Sequence, residues 1–169
     1  MTKNNPIKKQ DLVVTRIIDA PVELVWKAWT DPEYVMRWWG PKDYTSPSCK
    51  IDFREGGKYL FCMRAPKDQG GQDMYTAGVY KKIVPMERLE FTQSMADKDG
   101  NRIDPAELGM PPDFPKEMRM VIVFKSKKCD MTELSITHYD WTVSDGGQMY
   151  VYALAGWHQS IDKLAESLK

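Results

Sequence analysis

At 169 residues, with 42% apolar and 28% charged side chains, the chain is long enough to bury most of its surface in one globular domain. Lys plus Arg and Asp plus Glu number 24 each and the pI is near 6.7, so no net field draws the protein to nucleic acid or anionic lipid. The opening MTKNNPIKKQ has no apolar run behind it, which argues against a signal peptide or membrane anchor and for a cytoplasmic protein; residues 1–10 read as a flexible tail before a single domain over 11–169.

Asp11 to Ile18 is rich in β-branched residues and reads as a first strand. Two short helices follow. Pro21 suits a first helical turn because its missing N–H would have no partner there, and Val22, Val25, Trp26 and Trp29 form one apolar stripe. Asp31 is the expected N-cap of a second helix starting at Pro32 and running to about Arg37, closed by Gly40-Pro41. Four tryptophans in this stretch (Trp26, Trp29, Trp38, Trp39) exceed what two short helices can use and require an apolar sheet to cover.

Six further strands are expected. The run around Gly56-Gly57 reads as a hairpin, with Cys49, Ile51 and Phe53 on one face and Asp52 and Arg54 as an exposed charge pair across it. Met74 to Val84 and Leu89 to Met95 are the next strands, joined at Pro85–Arg88. Asp97 to Lys116 holds four prolines and no period, which marks a long loop; Ile103, Met110 and Phe114 are its apolar residues, and Met110 and Phe114 are expected to form a lid. Glu117–Ser126 and Met131–Tyr139 complete about seven strands. Asp145 and Gln148 resemble a capping box, and Tyr150, Ala153, Leu154, Trp157, Ile161, Leu164 and Leu168 recur at helical steps, giving a helix of about 24 residues, ~35 Å long. Gly156 within it suggests a close approach to a neighbouring strand.

This order implies an α+β helix-grip fold: a curved antiparallel sheet wrapped around the long C-terminal helix. A sheet bent in this way leaves a pocket beside the helix unless large side chains fill it. Phe61, Met63, Met74, Met120, Ile122, Met149, Tyr150, Ala153 and Trp157 are the candidate lining, the methionines suiting variable apolar shapes; the competing reading is that the same stripes are ordinary core.

No metal site or cofactor is expected. Cys49, Cys62 and Cys129 are odd in number and widely spaced, which fits reduced core thiols, and His138 and His158 form no ligand pair with them or with each other. The polar residues that could serve catalysis are His138, His158, Asp140, Tyr80, Tyr150 and Glu90, and no nucleophile elbow, phosphate loop or paired carboxylate accompanies them. His158 follows Trp157 and should face solvent, whereas His138 reads as a satisfied structural histidine sooner than a proton shuttle. No catalytic residue is assigned.

The motifs Ala20-Pro21, Val25-Trp26-Lys27-Ala28-Trp29-Thr30-Asp31-Pro32 and Trp38-Trp39-Gly40-Pro41 resemble a known superfamily, as do Asp52-x-Arg54-x-Gly56-Gly57-x-Tyr59, Gly78-x-Tyr80, Pro85-x-x-Arg88-Leu89 and Gly156-Trp157. It is the START-like or Bet v-like (SRPBCC) superfamily, in the branch similar to the C-terminal domain of activators of the heat-shock protein 90 ATPase. The resemblance implies the same helix-grip fold reached from the periodicities. It leaves function open among binding of a small hydrophobic or amphipathic ligand, a co-chaperone-like interaction domain and a polyketide-cyclase-like enzyme. The leading expectation is a ligand binder; a chaperone or a second copy of the chain are further partners, and neither nucleic acid nor membrane is expected.

Overall fold

The computed structural model describes residues 8–110, 114–143 and 148–169, apart from the side chains of Lys8, Thr142, Val143 and Gln148. In chain order the elements are β1 (Lys8–Ile18), α1 (Val22–Thr30), α2 (Pro32–Val35), β2 (Cys49–Ile51), β3 (Lys58–Arg64), β4 (Asp73–Val84), β5 (Arg88–Ala96), β6 (Met118–Lys127), β7 (Met131–Val143) and α3 (Gln148–Ser167). The seven strands form one curved antiparallel sheet in the order β1-β7-β6-β5-β4-β3-β2, and α3 packs across β1 and β7. This is the expected helix-grip. No helix among the described residues is long and apolar enough to cross a membrane.

Several boundaries differ from the sequence expectation. Lys8, Lys9 and Gln10, assigned to the tail, pair with Val143, Thr142 and Trp141 in the β1–β7 ladder; residues 1–7 lie outside the described residues. The second helix stops at Val35 because the chain tightens there: Trp38 and Trp39 both donate backbone N–H groups to the Val35 carbonyl. Asp31 caps α2 as expected, its carboxylate accepting from Glu33 N at 3.0 Å. Asp52 and Arg54 do pair at 2.9 Å, but within one turn and not across a hairpin. Cys62 is buried, whereas Cys129 is exposed in the β6–β7 turn, so only part of the core-thiol expectation holds. Asp145, the expected cap of the long helix, lies outside the described residues.

The four clustered tryptophans cover the inner face of the sheet. Trp26 meets Phe124 edge-on at 5.1 Å, Trp39 meets Phe61 at 4.8 Å and Trp29 meets Trp38 at 4.8 Å, geometries that favour aromatic quadrupoles. Trp38 is fully buried, and its indole N–H donates to the Ala28 carbonyl at 2.8 Å, tying the turn after α2 back onto α1. One glycine is fixed by close approach: a Cβ on Gly78 would lie 1.8 Å from the Thr92 carbonyl oxygen and 2.9 Å from the Tyr59 ring. The β4–β5 ladder opens at this point, and Tyr59 Oη donates to that carbonyl at 2.6 Å in place of a backbone donor.

Candidate ligand cavity

Two features of the fold aim side chains at the space between α3 and the sheet. The first is strand alternation, which sends Met63, Met74 and Thr76, Gln93 and Met95, and Met118 inward from β3, β4, β5 and β6. The second is a β-bulge in β7. Gln10 pairs with Trp141 and Leu12 with His138, so Asp11 alone faces both Tyr139 and Asp140. Asp140 takes φ 56°, a left-handed conformation that aspartate tolerates, and its N–H donates to the Asp11 carboxylate at 3.1 Å. The extra residue turns the strand by one position, so His138 and Trp141, three apart, both face inward.

The result is a cavity of about 210 Å³, bounded by the inner sheet face, by Trp39, Gly40 and Pro41 after α2, and by Ala153, Gly156, Trp157 and Ser160 of α3. Met110 and Phe114 of the long loop close another side, with Phe114 edge-on to Trp141 at 5.6 Å. The loop reaches this position through local caps. Asp97 accepts from Asp99 N and Asn101 N at 2.9 Å each, and Asp104 caps the short 3-10 turn Pro105–Leu108 by accepting from Ala106 N at 3.0 Å. Lys163 fixes the opposite wall: its ammonium donates to the carbonyls of Gly40, Pro41 and Tyr44 at 3.1, 3.3 and 2.8 Å.

No charged side chain lines the cavity among the described residues, and five of its walls are methionine side chains. Its polar atoms are unusual. Trp39 Nε1, Gln93 Oε1, His138 Nε2 and Trp141 Nε1 are buried without a hydrogen-bond partner, four of the five such side-chain atoms among the described residues. Buried polar atoms are ordinarily paired, and these four belong to residues that line the cavity while the atoms themselves are covered by their neighbours. His138 is 2% exposed; its Nδ1 lies 3.3 Å from Met118 Sδ, and its ring stands edge-on to Trp157 at 5.3 Å. Burial, with no compensating charge, pushes its pKa down to about 3, so the imidazole is neutral at physiological pH.

The sequence-derived lining divides. Met63, Met74, Ala153 and Trp157 line the cavity, as do Met110 and Phe114 of the loop. Phe61, Met120 and Ile122 point the same way but are fully packed into the hydrophobic core and do not reach the cavity. Tyr150 instead donates its hydroxyl to the Asp11 carbonyl at 3.2 Å, and half-buried Met149 lies outside the lining. Gly156 lines the cavity without the expected close approach: a Cβ there would meet only Pro41 Cγ, at an ordinary 3.9 Å. Of the six polar candidates, only His138 reaches the cavity, and it is not the satisfied structural histidine expected. His158 and Asp140 are exposed, Tyr80 is buried among aromatic rings, and Glu90 is held by Arg88 and Arg119 on the outer sheet face. Trp39, Gln93, Met95, Met118, Trp141 and Ser160 were not anticipated.

A larger concavity, about 860 Å³, lies on the outer face of β2–β5 and is lined by Lys50, Lys58, Lys81, Arg102 and Glu117 among others. It is open and polar, Arg102 pairs with Glu117, and none of the residues with a buried unpartnered atom lines it. The inner cavity is therefore the candidate site despite its smaller volume.

Solved structures share this architecture. A crystal structure of a Nitrosomonas europaea protein is 25% identical with a TM-score of 0.71, the match covering 94% of this chain and 93% of that one. A Chromobacterium violaceum protein is 26% identical with a TM-score of 0.69, covering 94% and 96%. A Silicibacter pomeroyi protein is similar in fold, with a TM-score of 0.68 at 21% identity over 94% and 97% of the two chains. A search among curated proteins gave no significant match. A family model matches residues 19–169, which span every element from α1 to α3 and all the cavity walls. The chain belongs to the family described as Activator of Hsp90 ATPase homolog 1-like protein.

Proposed function

We propose that the protein binds a small apolar or amphipathic molecule in the cavity between α3 and the sheet. The observation that carries this reading is the cavity itself: an uncharged space of about 210 Å³, walled by methionines and aromatic rings, beside inner-face residues such as Phe61, Met120 and Ile122 that are buried in the core. Methionine's flexible thioether lets such walls adapt to a guest, and rings supply large contact area at little entropic cost. The volume falls below the ~300–1,000 Å³ usual for drug-sized ligands, so the guest is of fragment size. In this reading Met110 and Phe114 act as the lid. A cyclase-like reaction is disfavoured, because a histidine held neutral to about pH 3 is a weak base at neutral pH. Titrating the protein with small apolar aromatic and alicyclic compounds, followed by tryptophan fluorescence and heat, should give saturable one-site binding. Absence of saturable binding across the set overturns the proposal.

The second reading, an interaction domain that acts on a chaperone, is favoured by the family's description as activators of an Hsp90 ATPase. Its test is titration into the chaperone's ATPase assay. A rate change that the cavity variants leave intact would support it, and no change in rate would remove it.

A further inference from the structure

The outer concavity on β2–β5 carries a charge pattern that the chain as a whole lacks. Lys plus Arg balance Asp plus Glu at 24 each over the full sequence, so any excess is local. Of the acids that line the concavity, Asp52 is paired with Arg54 and Glu117 with Arg102. That leaves Lys50, Lys58, Lys81 and Lys98, all exposed and without an ion-pair partner among the described residues, against Asp99 alone. Like charges gathered around one hollow repel one another, and an anionic partner relieves them.

The strand register sets three of these lysines in a line. Lys50 on β2 faces Leu60 on β3, and Lys58 stands two residues before Leu60. Lys58 in turn faces Val79 on β4, and Lys81 stands two residues after Val79; the strands being antiparallel, both offsets run the same way. Lys81 is the extra residue of a bulge in β4, since Tyr80 pairs with Phe91 and Lys82 with Glu90. Each step is one strand across and two residues along, a diagonal of ~7–8 Å. Side chains on one side of an extended peptide recur every ~6.6–6.8 Å, so carboxylates at its alternate positions keep step with the three lysines. Leu60 and Val79 form a parallel diagonal of half-buried apolar residues beside this line.

A compact phosphate is a poor match, because the only guanidinium lining the concavity among the described residues, that of Arg102, is engaged by Glu117. Single-stranded nucleic acid would stack its bases on aromatic rings, and the one aromatic residue of the lining, Tyr59, is 3% exposed. From the register and the charge, we infer that the outer face of β2–β4 docks an acidic, extended polypeptide segment. Its alternate carboxylates meet Lys50, Lys58 and Lys81, and the intervening apolar side chains lie on Leu60 and Val79. The inference is independent of the inner cavity and rests on the interaction reading above, for which it names the surface and the partner's chemistry.

The test is fluorescence anisotropy of a labelled peptide alternating Glu and Val, titrated with the full chain at neutral pH. Saturable binding is expected, weakening about tenfold or more from ~0.05 M to ~0.5 M salt because exposed charges are screened. The peptide with Lys in place of Glu should not bind, and the one with Ser in place of Val should bind severalfold more weakly. Lys58→Glu combined with Lys81→Glu should lower affinity about tenfold, whereas Lys127→Glu, at an exposed position on β6 outside the concavity, should leave it unchanged. Should the double variant fail to fold, the salt dependence and the peptide controls read the unmodified protein. Salt-insensitive binding, equal binding of the Lys peptide, or tighter binding of a labelled oligothymidine would overturn the assignment, and equal binding of the Ser peptide would overturn the part given to Leu60 and Val79. A chaperone rate change that the double variant leaves intact would overturn this surface and spare the interaction reading. No saturable peptide binding together with no rate change would overturn both.

Discussion

His138 and Trp141 are three residues apart on one strand, yet their rings meet edge-on, 5.8 Å between centroids at 75°, over the same cavity. In a regular strand residues three apart face opposite sides of the sheet. The bulge at Tyr139–Asp140 removes that opposition, and the Asp11 carboxylate holds it by accepting from Asp140 N. The bulge depends on a residue that tolerates positive φ. Asp140→Gly should leave stability within about 0.5 kcal/mol, whereas the β-branched Asp140→Val should cost about 1–2 kcal/mol and perturb the environment of Trp141. Urea denaturation with near-ultraviolet circular dichroism checks both; equal stability of the two variants would contradict the assignment.

His138 sets a pH dependence. Its pKa is about 3 in the folded chain against 6.5 when unfolded, so between these values the unfolded state binds a proton that the folded state does not. Stability is therefore complete above about pH 6.5 and falls as pH drops towards 3, by up to about 1.4 kcal/mol per unit. The carboxylates whose pKa values are lowered by their partners, Asp73, Glu90, Asp97 and Asp104, add their own losses only below about pH 4.5. Denaturation midpoints between pH 4.5 and 6.5 should slope in the unmodified protein and lie flat in His138→Phe. A flat profile in both would show that the imidazole is solvated.

Gly156 has room for a methyl group, with only Pro41 Cγ at 3.9 Å from the added carbon. Gly156→Ala should stabilise the protein by about 0.5–1 kcal/mol through helix propensity and, because the new methyl enters the cavity, weaken guest binding. Thermal unfolding and a binding titration read the two effects separately. Destabilisation would restore the close-approach reading of this glycine.

Much of this arrangement is legible in the sequence, and what is missed has physical causes. The alternation of β3 and β4 points to Met63 and Met74, and the helical period to Ala153 and Trp157, because both signals report which face a residue occupies. They do not report depth. Phe61, Met120 and Ile122 share the inward face but sit where Trp39, Tyr59 and Phe91 complete the packing. Gln93, Met95 and Met118 were within reach of the same argument, since they continue the parity of Phe91 and Met120 along β5 and β6. Trp141 was not: the bulge inverts strand parity, and its only trace in the sequence is an aspartate at a position that requires positive φ.

Trp157 joins core and cavity. Its indole stacks on Trp29 at 6.1 Å and meets Trp39 edge-on at 5.9 Å, while its remaining surface lines the cavity beside His138. Trp157→Ala should cost about 3 kcal/mol, the lower end of the large-to-small range because one side already faces open space. Trp157→Phe should fold and alter guest affinity. If Trp157→Phe bound as before while Trp157→Ala unfolded, the indole would be packing alone.

The most direct measurement of the central claim is a methyl spectrum of protein labelled at methionine, titrated with a small apolar aromatic compound such as naphthalene. Of the eleven methionines, Met63, Met74, Met95, Met110 and Met118 line the cavity, whereas Met36, just after α2, and Met131, at the start of β7, lie outside its lining. Saturable shifts of those five methyls, with Met36 and Met131 unmoved, are the predicted result. Binding that left the five unmoved, or no saturable shift at any methyl, would contradict it.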